Sequence, residues 1–300
     1  MASDQANNAQ FARSQLFDVS HITAIVTGGG TGIGLMIAQA LVSNGAKVYI
    51  TGRRQGTLNN AIKLYSNAPG SLHALSGDIS QKAEVERLAR EVEGKEPNGI
   101  HLLVNNAGIA RDDSTKFSVV GAPNMNDPLS ISKHYMNSPE DAWADSFRTN
   151  VTAAFYMSMA FLPHLAKGHG VVPGHTSSIV NVSSIAGYTK RGAGGQFAYS
   201  ASKAAFTHLT RNLASTFVGT KVRVNAICPG LFPSEMTTGS SGDDNKSALG
   251  RPSRNPSGRD GIDSDMAATI LFLAGPGGAF YNEQFLWPDG GTTLINPSVR

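Results

Sequence analysis

The chain has 300 residues, of which 40% are hydrophobic and 16% are charged, and its formal net charge is +3. This length suits one large α/β domain or two small ones, and the mild positive charge comes without the dense Lys/Arg block that indicates nucleic-acid binding. The only cysteine, Cys228, excludes an internal disulfide and a cysteine-based zinc site.

The N-terminal residues 1–16 are polar and predict a flexible arm. They contain no apolar run of the kind that secretory signals carry. Nothing along the chain reaches the ~18 consecutive apolar residues of a membrane span. We therefore expect a cytoplasmic protein that has neither a membrane nor a nucleic acid as a partner.

From His21 onward, short β-branched runs alternate with longer helical patterns. The strand candidates are residues 22–27, 47–51, 72–76, 100–104, 179–182, 222–227 and 284–287. Several are apolar almost throughout, as strands buried on both faces are. One amphipathic helical pattern repeats every four residues, at Trp143, Phe147, Val151, Phe155 and Met159. This alternation predicts an α/β fold with a parallel, doubly wound sheet.

Two stretches interrupt the alternation. Residues 112–139 are long and polar, and residues 234–261 are rich in Ser and Gly. Long loops inside a compact domain are usually functional lids or disordered segments. The second stretch begins just after a predicted strand, at the sheet edge where ligands bind in such folds.

Residues 27–34, TGGGTGIG, follow the first strand and open the first helix. Gly28, Gly32 and Gly34 have the spacing G-x-x-x-G-x-G, which is neither the common dinucleotide fingerprint nor a P-loop. Glycine here lets the backbone turn tightly and approach a pyrophosphate at the helix N-terminus, where N–H groups favour anions. The segment indicates a cofactor phosphate site, and a strand–helix turn without a ligand is the alternative.

The second strand ends in TGRR, residues 51–54. In dinucleotide-binding folds an acidic residue near this point holds the ribose 2′-hydroxyl of NAD, whereas an arginine accommodates the 2′-phosphate of NADP. No Asp or Glu lies between Lys47 and Lys63, and Arg53 offers a charge-assisted partner. The pattern favours NADP(H); a solvated arginine pair is the alternative.

Polar residues also follow the third and fourth strands. Asp78, in GDIS, can accept a hydrogen bond from an adenine amino group, or it can cap the helix that begins near Gln81. The segment NNAG, residues 105–108, can tie neighbouring strands together through its asparagines. Ala107 and Gly108 leave room for a cofactor, and a plain turn is the alternative reading.

The fifth strand ends at Ser183 and Ser184, and AYSASKAAF follows at residues 198–206. In a helix, Tyr199 and Lys203 share a face because they are four residues apart. A neighbouring ammonium favours the phenolate and lowers the tyrosine pKa from about 10, which suits a general acid or base. Taken alone, the pair is more typical of an ordinary helix surface than of a catalytic site.

Taken in order, TGGGTGIG, NNAG, the serine after the fifth strand, YSASK and the CPG at residues 228–230 closely resemble the motifs of the short-chain dehydrogenase/reductase family. The resemblance runs from about residue 17 to residue 291, with a more general similarity to fungal ketoreductases and 3-oxoacyl-carrier-protein reductases. It implies a single Rossmann-like domain, residues 17–300, with a seven-stranded parallel sheet flanked by helices.

The resemblance also implies a catalytic tetrad. Tyr199 matches the proton donor, and Lys203 matches the lysine that binds the nicotinamide ribose and lowers the tyrosine pKa. Ser184 matches the serine that hydrogen-bonds the substrate oxygen, with Ser183 as the alternative. Asn150, in RTNVTAAF, matches the asparagine that holds a water of the proton relay.

The implied cofactor contacts lie mostly at strand ends. Around the pyrophosphate and the nicotinamide riboside they are Gly28, Thr31, Gly32, Ile33 and Gly34. On the adenosine side they are Arg53, Asp78, Ile79, Asn105, Ala107 and Gly108. Around the nicotinamide and its ribose they are Tyr199, Lys203, Pro229, Gly230 and Ser234.

These residues predict an NADPH-dependent reductase that converts a ketone of a small or medium organic substrate into a secondary alcohol. The reverse reaction, NADP+-dependent alcohol oxidation, uses the same residues and stays an alternative. All four tetrad candidates are present, which disfavours a non-catalytic nucleotide sensor. A metal-dependent enzyme is disfavoured because the scattered His and single Cys form no ligand cluster, so no metal is expected. The resemblance further implies a homotetramer or homodimer, with the helices of Asn150 and Tyr199 at an interface.

Overall fold

The computed structural model describes residues 8–169, 171, 174–250 and 255–299. Residues 1–7 of the expected arm and residues 251–254 of the second long stretch lie outside the described residues. Within the arm, a 3-10 turn spans Asn8–Phe11 and a short helix, α1, spans Arg13–Leu16.

Seven strands in the described part of the chain form one parallel sheet. They are β1 (Thr23–Thr27), β2 (Lys47–Gly52), β3 (Ser71–Ser76), β4 (Leu102–Asn105), β5 (Ser178–Val182), β6 (Arg223–Ile227) and β7 (Phe285–Leu286). Their order is β3-β2-β1-β4-β5-β6-β7, and every neighbouring pair is parallel. The predicted seven-stranded, doubly wound parallel sheet is therefore confirmed.

The helices connect and cover these strands. After α1 they are α2 (Gly32–Ser43), α3 (Gln55–Tyr65), α4 (Lys82–Lys95), α5 (Phe117–Val120), α6 (Pro128–Met136), α7 (Glu140–Phe147), α8 (Ala153–Gly168), α9 (Gly192–Gly195), α10 (Phe197–Thr216), α11 (Glu235–Thr238), α12 (Asp263–Ala274) and α13 (Thr292–Ile295). A π-helical segment, Arg148–Thr152, joins α7 to α8. Three further 3-10 turns span Ile185–Gly187, Val218–Thr220 and Pro276–Gly278.

The core has two halves, one on each face of the sheet. Buried side chains of α2, α3 and α12 pack on one face, and those of α4, α8 and α10 pack on the other. β1, β4, β5 and β6 are buried along their full length, because helices cover both of their faces. None of the helices in the described residues is both long and apolar enough to cross a membrane.

The amphipathic pattern at 143–159 is helical, as predicted, but its bulky apolar side chains do not all face the core. Trp143 is 40% exposed and Phe155 is 38% exposed, whereas Met159 packs against the buried cluster. The buried residues of α7 are the small Ala142 and Ser146, and α8 buries both small and bulky side chains. α7 packs against α10, and α8 packs against α4. The periodicity alone cannot decide which residues of the pattern stay exposed.

The first long stretch is not wholly irregular, because α5 and α6 lie within residues 112–139. α6 begins at Pro128, and the Asp127 side chain caps it by accepting the Leu129 N–H at 3.0 Å. Proline at the first helical position after an aspartate is a helix-start signal. The second stretch contains one short helix, α11, among its described residues.

A cluster of three histidines lies at the amino ends of β1, β4 and β5, opposite the predicted site. The rings of His21, His101 and His175 pack edge to face with centroids 4.7–5.9 Å apart. His101 Nδ1 accepts the Thr23 N–H at 3.0 Å. Burial, reinforced by the neighbouring His21, lowers the pKa of His101 to about 4 and that of His175 to about 3. These two rings are therefore neutral in the folded protein.

This cluster predicts acid-sensitive folding. Because both pKa values are depressed, the unfolded chain binds more protons than the folded chain below its histidine pKa of 6.5. The stabilising effect of these two neutral rings should be fully present above that pH and should be lost as the pH falls toward their folded-state values, and the two rings together contribute up to two protons per molecule to the slope. Urea unfolding at a series of pH values measures the slope. His175→Gln should remove about one proton from it. A wild-type slope near zero would contradict the prediction.

Candidate active site

The predicted site residues lie at the carboxyl ends of the strands, along one edge of the sheet. β1 and β4 are neighbours in the sheet, and from this point successive strands are added outward in opposite directions. Ligands of doubly wound sheets bind in the crevice outside this switch point. The segments that follow β1, β2, β3, β4, β5 and β6 line this groove.

Two positions of the phosphate turn require glycine, each for a different structural reason. Gly28, directly after β1, has φ +63°, in the left-handed region. A Cβ at Gly34 would lie 2.2 Å from the Gly28 carbonyl oxygen, so no side chain fits where α2 passes the turn. Both positions keep the backbone of the turn compact and open to a ligand.

The N-terminus of α2 fits the pyrophosphate of a dinucleotide. Thr31 is the N-cap of α2 and has an extended backbone, and the N–H groups of Gly32 and Ile33 belong to the first turn, which has no acceptors within the helix. The helix dipole favours an anion at this point. Ser234 packs on this turn, since a Cβ at Gly32 would lie 2.9 Å from Ser234 Cβ, and the next residue, Glu235, brings a carboxylate of the protein close to the turn.

The NNAG segment joins three strands, as predicted for its asparagines. Asn106 Nδ2 donates to the Thr27 carbonyl at 2.9 Å, and the Ala107 N–H donates to Thr27 Oγ1 at 3.0 Å. Asn105 Nδ2 donates to Asn181 Oδ1 at 2.9 Å, which links β4 to β5. Asn105 is buried within the sheet. Its side chain therefore holds strands together and does not line the groove, contrary to its expected cofactor contact.

The adenosine end of the groove contains Arg53, Asp78 and Ile79. Arg53 is exposed and follows directly after Gly52, the last residue of β2. Asp78 Oδ1 accepts the Ser80 N–H at 3.0 Å and forms a turn, so it does not cap α4, whose N-cap is Gln81. Ile79 is buried beside it. These positions agree with an adenosine pocket at the ends of β2 and β3.

Tyr199 and Lys203 share one face of α10, as their spacing predicts. Lys203 Nζ lies 5.8 Å from the centroid of the Tyr199 ring. It donates to the Val182 carbonyl at the end of β5, at 2.9 Å. A Cβ at Gly108 would lie 3.2 Å from Asn150 Oδ1 and 3.4 Å from Lys203 Nζ. Gly108 therefore packs closely against two tetrad candidates, and a side chain at this position would press on both of them.

The two serines after β5 have different roles. Ser183 is buried, and its Oγ donates to the Lys203 carbonyl at 3.1 Å. Ser184 is partly exposed and hydrogen-bonds the Tyr199 phenol. The Ala186 N–H donates to Ser184 Oγ at 3.1 Å, which fixes its direction. The geometry favours Ser184, the first choice from the sequence, over Ser183.

Asn150 lies in the π-helical segment between α7 and α8, a local widening that is frequent at functional sites. Its Oδ1 accepts the Ile109 N–H at 2.8 Å, and its Nδ2 donates to the Ile109 carbonyl at 2.9 Å. Nδ2 also donates to Ser202 Oγ at 2.9 Å, and Ser202 Oγ donates to the Tyr199 carbonyl. Asn150 thereby connects the segment after β4 to the helix of Tyr199.

The pKa values differ from the expectation for an isolated Tyr/Lys pair. Burial raises the pKa of Tyr199 above its usual value, and the hydrogen bond from Ser184 opposes that rise. Burial also lowers the pKa of Lys203 to about 8. The expected lowering of the tyrosine pKa by the ammonium is therefore outweighed by desolvation. Tyr199 holds its proton at neutral pH.

The serine pair gives a matched test. We expect Ser184→Ala to lower kcat by about 10-fold to 100-fold, because it removes one hydrogen-bond donor from the developing oxyanion. Ser183→Ala should chiefly lower the melting temperature, since the Ser183 hydroxyl hydrogen-bonds a backbone carbonyl of α10. Ketone reduction and thermal unfolding of both variants measure the two effects. The opposite pattern would assign the substrate oxygen to Ser183.

The sequence did not single out Asp112, although it fastens the helix of Tyr199. Asp112 is buried, and its two oxygens accept the N–H groups of Ala198 and Tyr199 at 3.0 and 3.1 Å. The N-cap residue of α10, Gln196, makes no side-chain cap. Asp112 supplies that cap from the segment after β4. Only its position beside a distant helix reveals this role.

The nicotinamide end of the groove contains Pro229, Gly230 and Ser234, after β6. The Ile185 N–H donates to the Pro229 carbonyl at 3.1 Å, which holds this segment beside the end of β5. The Gly230 N–H donates to the Pro288 carbonyl at 3.1 Å. A Cβ at Gly32 would lie 2.9 Å from Ser234 Cβ, so Ser234 packs directly on the phosphate turn. The structure therefore brings most of the predicted residues into one groove.

Comparison with known proteins agrees with this geometry. Residues 22–245 match a family model described as short chain dehydrogenase. The chain is 38% identical over 292 residues to the short-chain dehydrogenase/reductase PhomF′ of Diaporthe leptostromiformis, covering 95% of this chain and 96% of the relative. It is 34% identical to a rhamnolipid-biosynthesis 3-oxoacyl-acyl-carrier-protein reductase of Pseudomonas aeruginosa, covering 93% and 98%.

A solved structure is similar in fold and sequence. It is the Pseudomonas aeruginosa RhlG/NADP active-site complex, which aligns with a TM-score of 0.75 at 31% identity, covering 92% of this chain and 98% of that chain. The fold of this chain is thus similar to that of a protein whose structure was solved as a complex with NADP.

Proposed function

The chain belongs to the short-chain dehydrogenase/reductase family, and from this membership we propose that it is an NADP(H)-dependent ketoreductase. Its substrate is a ketone of a small or medium organic molecule, and its product is a secondary alcohol. The observation that carries the proposal is the convergence of Ser184, Tyr199, Lys203 and Asn150 around Gly108.

Each tetrad residue has a task that its surroundings support. Bound NADPH supplies the hydride that reduces the carbonyl carbon. The hydroxyls of Ser184 and Tyr199 hydrogen-bond each other and form a pair of donors for the ketone oxygen. Tyr199 then gives its proton to the forming alkoxide, and its raised pKa keeps that proton available at neutral pH.

The tyrosine proton is restored through Lys203. With a pKa of about 8, its ammonium exchanges protons readily near neutral pH. Asn150 holds the segment at Ile109 against α10, and we propose that it positions the water that completes the relay. The cofactor side uses the phosphate turn, Arg53 and the residues after β6, in the positions described above.

The reaction is tested with a panel of ketones that contains 3-oxoacyl thioesters, aromatic ketones and keto sugars. We expect NADPH consumption with at least one of them, and weaker or no reaction with NADH. Oxidation of the corresponding alcohol with NADP+ is the reverse of the same chemistry. NADPH binding without turnover of any ketone or alcohol would favour a nucleotide-sensing protein instead.

We also propose a cytoplasmic homodimer or homotetramer. Trp143 on α7 and Phe155 on α8 are exposed, on either side of the π-helical segment of Asn150. Neighbouring exposed apolar side chains are typical of an interface between subunits. The single cysteine is buried, which suits a reducing compartment. Light scattering of the purified protein measures the oligomeric state, and a monomer would contradict the proposal.

A further inference from the structure

An ion pair crosses the groove at its phosphate end. Arg54, at the start of α3, donates from both terminal nitrogens to Glu235, at 3.1 Å to Oε1 and 2.6 Å to Oε2. Glu235 is the first residue of α11, in the segment after β6. Since β2 and β6 lie on opposite sides of β1 in the sheet, the pair joins the two walls of the groove.

The Glu235 carboxylate occupies the anion position at the N-terminus of α2. The adjacent Ser234 packs on the first turn of that helix, where a Cβ at Gly32 would lie 2.9 Å from Ser234 Cβ, and Glu235 Oε1 accepts a hydrogen bond from Ser241 Oγ at 2.8 Å. The Arg54 hydrogen bond is the largest influence that lowers the pKa of this carboxyl group, so it is ionised at neutral pH. An anion of the protein itself is therefore held where the pyrophosphate of a dinucleotide would lie.

Glu235 belongs to a segment that spans the phosphate turn, residues 234–246, which we call the clasp. At its far end, Asn245 is buried and its Nδ2 donates to the Gly30 and Thr57 carbonyls at 3.0 and 2.9 Å. Tyr65 of α3 donates to the Asp244 carbonyl at 2.7 Å. The far end is thus anchored by the buried Asn245 and by an ion pair between Lys246 and Asp263 of α12, whereas the Glu235 end is held across the groove by its ion pair with Arg54.

We propose that Glu235 is an internal competitor for the phosphates of the cofactor, and that the clasp opens at its Glu235 end when a dinucleotide binds. A carboxylate and a pyrophosphate at one helix N-terminus repel each other. Displacing Glu235 removes that repulsion and frees the Arg54 guanidinium to face the incoming phosphates. The clasp therefore sets cofactor affinity. This inference rests on the proposed dinucleotide binding.

The test is the affinity of the apoprotein for NADPH and NADH, measured by cofactor fluorescence in Glu235→Gln. Glutamine keeps the shape of the side chain and removes its charge. We expect both cofactors to bind about fivefold more tightly, because the pyrophosphate is common to both. Glu91→Gln is the control. Glu91 also pairs with cations and is 36% exposed, against 28% for Glu235, but it lies on α4. It should leave both affinities unchanged.

A double-mutant cycle with Arg54→Gln separates the clasp from a simple effect of net charge. In the wild-type background this change removes a partner of the phosphates but also releases Glu235 from the ion pair that holds it at the phosphate site, so cofactor binding should weaken only slightly. In the Glu235→Gln background only the phosphate partner is lost, so the loss should be larger. Equal losses of cofactor affinity in the two backgrounds would overturn the inference about the clasp. Unchanged or weaker cofactor binding in Glu235→Gln would also overturn it.

The same titrations distinguish this inference from the proposed function. If the wild-type protein binds NADPH and Glu235→Gln binds it no more tightly, the clasp alone is wrong. If neither protein binds either cofactor, the proposed function is wrong, and the inference about the clasp is wrong as well. Circular dichroism of each variant confirms that a change in affinity is not a loss of folding.

Discussion

Replacing Tyr199 with Phe is expected to lower kcat for ketone reduction by about 10²-fold to 10⁴-fold, the contribution of a positioned proton donor. The substitution removes the hydroxyl that Ser184 holds and leaves the aromatic ring beside Lys203. Affinity for NADPH should stay within about twofold of the wild-type value, because the contact expected between Tyr199 and the nicotinamide ribose is an uncharged one. Steady-state kinetics and cofactor fluorescence measure the two quantities.

Tyr156→Phe is the matched control for this variant. Its ring packs near Lys82 of α4, with Lys82 Nζ 5.6 Å from the ring centroid, so its hydroxyl lies outside the tetrad. It should keep turnover near that of the wild type. If Tyr199→Phe also reduced an accepted ketone at a near-normal rate, Tyr199 would not be the proton donor, and the mechanism proposed above would have to be abandoned.

Replacing Arg53 with Ala is expected to weaken NADPH binding by about 10-fold to 100-fold, as for the loss of a charge-assisted hydrogen bond. NADH binding should change by less than about twofold, because NADH has no 2′-phosphate. Arg53 is exposed at the end of β2, whereas the neighbouring Arg54 is engaged by Glu235. Arg53 is therefore the arginine available at the adenosine end of the groove.

Titration of both cofactors against Arg53→Ala measures the discrimination. Arg90→Ala, an exposed arginine on α4, controls for the lost positive charge. An equal loss of NADPH and NADH affinity would remove the phosphate role from Arg53. This result is also independent of the clasp, since Glu235→Gln is expected to change the two cofactors alike.

Much of the fold could be predicted because its signals are local. The seven predicted strand segments coincide with the seven strands to within about two residues, and the four central strands are buried on both faces. The exposure of the apolar pattern on α7 and α8 could not be predicted in the same way. Trp143, Phe155 and Met159 share one helical spacing, and only the packing around each helix decides that Met159 faces the core while the other two are exposed.

In the candidate site, too, some residues could be predicted from local signals, whereas the roles of others depend on distant contacts. Glycines of the phosphate turn and the Tyr199–Lys203 pair were predictable, since strain and helical spacing act within a few residues. Asn105 was assigned to the cofactor because it lies at a strand end, but its amide is used by Asn181 across the sheet. No role was predicted for Asp112, because the Ala198 N–H from which it accepts a hydrogen bond lies 86 residues further along the chain.

The sequence by itself determined the alternating strands and helices, the turn that suits phosphate, and the tyrosine, lysine and serine that suit proton transfer. Those properties follow from backbone strain, hydrophobic periodicity and side-chain chemistry, all of which act between near neighbours. Only the tertiary structure decided which serine reaches Tyr199 and which carboxylate caps its helix. It also placed Glu235 beside Arg54, 181 residues away in the chain. Such contacts depend on where the sheet brings distant segments together, because charges and hydrogen bonds act over a few ångströms in space whatever their separation in sequence.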